Sequence, residues 1–89
     1  IILMNINELI AIVKNKLEVE IVIQNLKIED KSFLHKNHKG HQEGKFHLKL
    51  TITSNELAKI SKIAATKKIY SILDVELKKQ IHSIQILFN

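Results

Sequence analysis

Residues 28–54 read IEDKSFLHKNHKGHQEGKFHLKLTITS, and the second half of that run decides the fold. From Phe46 onward, Leu48, Leu50 and Ile52 alternate with His47, Lys49, Thr51 and Thr53. A period of two puts the apolar set on one side of the chain and the polar set on the other, which is the pattern of a strand with one buried face. Just upstream, residues 31–45 hold both glycines and three histidines, with scarcely an apolar side chain after Leu34. Such a stretch is a loop. Residues 19–30 are rich in β-branched side chains, and Leu26 and Ile28 alternate with Lys27 and Glu29, so a strand ending at Asp30 is expected, with Gln24-Asn25 as a pair that can interrupt it.

Moving outward, Ile6, Leu9, Ile10, Val13 and Leu17 recur at helical spacing, with Asn5 or Asn7 able to cap the start. Residues 6–17 therefore form an amphipathic helix whose polar face carries Glu8, Lys14 and Lys16. On the other side, Ser54 is a suitable N-cap, and Ile60, Ile63, Ala64, Tyr70 and Leu73 continue with helical periodicity. The expectation is one turn of helix over 55–58, a longer helix over 61–73, a polar connection or helical turn over 74–79, and a third strand over 82–88. The fold class is α+β in the order helix-strand-strand-helix-strand: a three-stranded mixed sheet with helices on one face, in a single domain over 1–89. The first two strands pair antiparallel across their loop, and the third, reached through a helical crossover, runs parallel to one of them.

The 89 residues are 45% hydrophobic with no proline, enough for a packed core. Apolar runs near Leu9 to Val13 and Val19 to Ile23 are interrupted by Lys14, Glu18 and Glu20, so no membrane span is expected. The opening Ile-Ile-Leu-Met lacks the features of a signal peptide, and a cytoplasmic protein is expected. The chain has no cysteine, hence no disulfide, no thiolate nucleophile and no sulfur of its own for an iron-sulfur cluster. The formal charge of +5 comes from 14 basic residues, all lysine. Lysine attracts phosphate as a point charge but lacks the planar fork that reads a base edge.

Four of the five histidines, His35, His38, His41 and His47, lie close together, and His82 stands apart. The H-x2-H-x2-H set of His35, His38 and His41 can wrap one zinc or nickel ion with neutral imidazoles; it is equally the pattern of a solvent-facing loop that holds none. His47 either faces outward, available as a ligand or as a donor that orients one, or is a partly buried hydrogen-bonded residue. If the third strand lies beside the second, His82 approaches the histidine loop. No nucleophile and base stand at recognisable spacing and no glycine loop cradles phosphate, so an enzyme is not expected. Asp30 and Ser32 suit a strand end and turn, where their side chains cap backbone groups.

The order of these features resembles the BolA family. The residues that carry the resemblance are Asp30, Ser32 and His35 after the first strand; Phe46-His47-Leu48 opening the second, which closes on Ser54; Ile69-Tyr70; and Ile81-His82-Ser83-Ile84. The resemblance runs through almost the whole chain. It implies a fold akin to the class II KH topology and a monothiol glutaredoxin partner. It also implies a [2Fe-2S] cluster held jointly by the glutaredoxin's cysteine, by glutathione and by His82 and His35 of this chain. His47 is the third candidate, and His38 or His41 takes the place of His35 if the loop register shifts. The isolated chain, a monomer when alone and a heterodimer with its partner, is expected to carry no cofactor. Imidazole in place of thiolate raises cluster potential, as in Rieske centres.

One departure bears on a second reading. Where the family has F-x-G and R-H-R, this chain has Leu57, Lys59 and Ala65-Thr66-Lys67. Lys59, Lys62, Lys67 and Lys68 still make a positive helix able to contact DNA phosphates without sequence preference, as a nucleic-acid-binding regulator would, or else form a solvated helix face.

Overall fold

The computed structural model describes residues 5–32 and 45–89. Its elements are α1 (Ile6–Glu20), β1 (Asn25–Asp30), β2 (Phe46–Thr53), α2 (Asn55–Ala58), α3 (Lys62–Ile72), α4 (Asp74–Lys79) and β3 (Ile81–Phe88). The sheet order is β1-β2-β3, with β1 antiparallel and β3 parallel to β2. This is the expected α+β mixed sheet.

α1 starts at Asn5, whose Oδ1 accepts the Glu8 N–H at 2.9 Å while its Nδ2 donates to Glu8 Oε1 at 2.6 Å. The first bond satisfies one of the N–H donors a helix start leaves unpaired, and the second holds the capping side chain in place. The helix runs to Glu20, further than expected, and takes in the start of the segment assigned to the first strand. Leu9, Val13 and Leu17 form its buried stripe, and Ile21, also buried, prolongs the same spacing of four just past the helix. Val19, the β-branched residue that argued for strand, is 80% exposed. Continuity of the apolar stripe outweighs the local β propensity of Val19. β1 is accordingly short, and its first residue, Asn25, belongs to the pair expected to interrupt it.

Leu48, Leu50 and Ile52 of β2 are buried together with Leu9, Val13 and Leu17 of α1 and Ala65 and Ile69 of α3. Leu26, Ile28, Ile84, Ile86 and Phe88 pack against this core from the flanking strands. Along α3 and its C-cap, Leu73 is buried as expected, but the other buried residues are not the ones expected. Ala65, Ile69 and Leu73, spaced by four, face inward, whereas Ile60, Ile63 and Tyr70 are exposed and so is Ala64. The sequence supports two apolar stripes on this helix, and the inner one is chosen by packing against α1.

Ser54 caps α2 as expected, accepting the Leu57 N–H at 3.1 Å and donating to the Val22 carbonyl at 2.7 Å. Residues 74–79 are helix, and Glu76 within them is buried, receiving Lys16 Nζ on both carboxylate oxygens at 2.7 and 2.9 Å. No helix among the described residues is long and apolar enough to cross a membrane.

Candidate functional site

The site lies where the N-terminal ends of β2 and β3 meet. Phe46 is paired with Ile81, but the next residue, His47, is paired with Ser83. His82 is therefore an extra residue with no partner on β2. A bulge of this kind re-aims the side chains beside it. The His82 ring comes to rest 4.9 Å from that of His47, tilted by 50°. The third strand does lie beside the second, as expected, and brings His82 against His47; its expected approach to the histidine loop lies outside the described residues.

His47 is held on every side that is described. Its backbone N–H donates to Ser32 Oγ at 3.0 Å and its carbonyl accepts the Lys31 N–H at 2.7 Å. Ser32 is in turn fixed by an Asx turn, its N–H donating to Asp30 Oδ1 at 2.9 Å. The ring Nδ1 lies 2.6 Å from Ser83 Oγ. Alternation puts His47 opposite Leu48, on the sheet face away from the helices, but it is not open to solvent there: it is only 7% exposed. His47 has the buried, hydrogen-bonded setting that is one of its two expected readings. A strand parity rule sees only which face a residue takes, not the serines and second histidine that cover it.

His82 is exposed. The pair thus consists of one anchored ring and one accessible ring in contact. Ser83 is the residue sequence reasoning missed: it was quoted beside His82 without a role, and only the register of β2 against β3 shows its hydroxyl meeting His47. His35, His38 and His41 lie outside the described residues. Among the described residues no three His, Cys, Asp or Glu side chains are grouped to hold a metal ion. Near the site, the Lys31 ammonium bonded to Glu29 at 3.1 Å, aided by Lys27 and Lys49, holds the Glu29 carboxyl below its ordinary value.

The lysines are elsewhere. Lys62 and Lys67 sit on α3, where they line an open hollow with Ile63, Thr66, Tyr70, Ser71 and Asp74. Lys59 is exposed at the end of α2, and Lys68 is bonded to Glu56 at 3.0 Å, so one of the four expected phosphate contacts is already engaged. The helices cover the face of Leu48, so this hollow and His47 belong to opposite sides of the sheet.

A helix-strand-strand-helix-strand sheet in which His47 and His82 meet at the parallel strand pair defines a small α+β module that, among the described residues, presents one accessible imidazole. The family model described as BolA-like protein matches residues 17–88, and the chain belongs to that family. In structure it is similar to the BolA domain of SufE1 from Arabidopsis thaliana, with 27% identity and a TM-score of 0.76 over 97% of this chain and 93% of that one. It is also similar to BolA1 from Arabidopsis thaliana, with 24% identity and a TM-score of 0.74 over 89% of this chain and 87% of that one. BolA1 from Mus musculus shares the fold at 18% identity and a TM-score of 0.71, over 98% of this chain and 67% of that one. Comparison by sequence with curated proteins returns no significant match.

Proposed function

We propose that this protein is an adaptor that docks a monothiol glutaredoxin and supplies histidine ligation to a [2Fe-2S] cluster shared with that partner and glutathione, in iron-sulfur trafficking or iron sensing. The observation that carries the proposal is the exposed His82 ring, set by a strand bulge against the anchored His47. The donor set fits such a group. A cysteine-free chain whose described residues present one accessible imidazole has no thiolate with which to close a cluster and leaves those positions for a partner's thiolates. His82 would ligate directly, and His47, tied to Ser83, would orient it from behind. His35 keeps its place as the expected loop ligand. When bound, the cluster supplies electron storage, and histidine ligation raises its potential.

The test is a titration of cluster-loaded, glutathione-bound monothiol glutaredoxin with the purified protein, followed by visible circular dichroism. A new spectrum saturating at about one to one, absent with His82→Ala although that variant stays folded, is the expected result. An unchanged spectrum for wild type, or a wild-type spectrum given by His82→Ala, would overturn the assignment. A phosphate-contacting role for Lys59, Lys62, Lys67 and Lys68 is the second reading, supported by the exposure of Lys59 after α2 and of Lys62 and Lys67 beside the α3 hollow. It requires a salt-dependent shift of duplex DNA that disappears when Lys62 and Lys67 are changed to glutamate.

A further inference from the structure

β3 is an edge strand of the described sheet. The Asn89 N–H donates to the Ile52 carbonyl at 2.9 Å, which fixes the direction of the backbone groups along the strand from Ser83, beyond the bulge, to its end. In a parallel ladder a residue's N–H and C=O point to the same side, and successive residues alternate. Ser83, Gln85 and Leu87 therefore direct their backbone groups toward β2. Ile84, Ile86 and Phe88 direct theirs outward, where no described residue pairs with them.

An edge of this length normally carries a device against self-pairing, such as a charge or a proline. β1, the opposite edge, carries Lys27, Glu29 and Asp30. β3, Ile-His-Ser-Ile-Gln-Ile-Leu-Phe, carries neither Lys, Asp, Glu nor Pro, in a chain of net charge +5. Along it two copies can meet without bringing like-charged side chains of the strand together. The sequence around Gln85 is also symmetric, Ile84 and Ile86 standing either side of it. Both are only partly buried on the core face.

We infer that two copies of this chain associate by antiparallel pairing of β3 with β3, the two-fold axis passing at Gln85, to make one continuous six-stranded sheet. In this register Ile84 of one copy lies opposite Ile86 of the other, and each such pair exchanges two backbone hydrogen bonds. The partly buried Ile84 and Ile86 side chains of the two copies complete each other's apolar margin. Gln85 meets Gln85 of the second copy at a closely spaced, non-hydrogen-bonded position on the open face. The interface is small, so the dimer is weak and concentration-dependent, and because each copy carries the same net charge, added salt strengthens it. This inference does not depend on the glutaredoxin reading.

The test is sedimentation equilibrium of the full chain over a range of concentrations, with amide exchange followed at Ile84, Ile86 and Phe88. Wild type is expected to pass from monomer to dimer, with protection of those amides rising in step. Gln85 is exposed, so Gln85→Lys is expected to keep the fold, checked by its thermal unfolding curve, while weakening the dimer about tenfold through like charges facing across the axis. An equimolar mixture of Gln85→Lys with Gln85→Glu should restore association. Wild type remaining monomeric up to about 1 mM, a dimer indifferent to Gln85→Lys, or one in which the outer β3 amides stay unprotected would overturn the inference; the first of these would leave the edge to an extended segment of another protein.

Discussion

Ser83 shows how much one hydroxyl can decide. It meets His47 Nδ1 at 2.6 Å, and His47 in turn sits under the accessible ring of His82. Ser83→Ala removes that partner from a buried imidazole and should cost about 1 kcal/mol of stability, read from the urea midpoint, with the nitrogen chemical shifts of both histidine rings moving. A purely local loss would move His47 alone. Glu56 is the second residue with a measurable signature. Its carboxylate is held below the ordinary glutamate value of 4.5 by the Lys68 ammonium, and then by the Val22 N–H. Folding lowers this pKa, so the stabilisation is complete above pH 4.5 and fades as the pH falls from there toward the folded value. Urea midpoints taken from about pH 6 to about pH 3 should fall less steeply for Glu56→Gln than for wild type. Equal slopes would remove Glu56 from the acid response.

Among the elements, β2 was legible because its alternation is strict, and α2 because Ser54 has a hydroxyl where a cap is needed. The boundary between α1 and β1 was not, because Val19, Val22 and Ile23 carry β propensity while Ile21 continues the helical stripe, and only the core decides between them. The orientation of α3 was hidden for a related reason, two apolar stripes on one helix. The pairing of α1 with α4 had no local signal at all. Lys16 and Glu76 are 60 positions apart, and their contact follows from the crossover bringing α4 beside α1. Glu76 has a side chain 7% exposed, whereas Lys16 is 38% exposed. Lys16→Met, which leaves a buried carboxylate without its cation, should cost about 1–3 kcal/mol. Adding Glu76→Leu should recover much of that, because the uncompensated group is gone. Chemical denaturation of the two variants checks both, and a double variant worse than the single would show that the pair contributes net stability.

At the level of the whole molecule, the element order and the mixed sheet could be read from the chain, since the sequence of periods and the handedness of a crossover leave few topologies. The candidate site was half legible. Histidine positions are visible in any sequence, but the contact between two of them depends on a one-residue slip in register at β3, and a slip leaves no compositional trace. The same slip explains why His47 is anchored and His82 is not.

That contact also has an order in time. The His47–Ser83 bond spans 36 positions, and the parallel pairing behind it requires α2, α3 and α4 to have traversed the sheet first. Hairpin β1–β2 closes over a far shorter stretch, and long-range parallel pairing comes at greater loop entropy. During synthesis, then, a chain can own a hairpin, a helix and an intact His47 while having no histidine corner whatever. The His47–His82 corner comes into being only when β3 docks, so that a partner that read it, as proposed above, would select finished molecules over nascent ones.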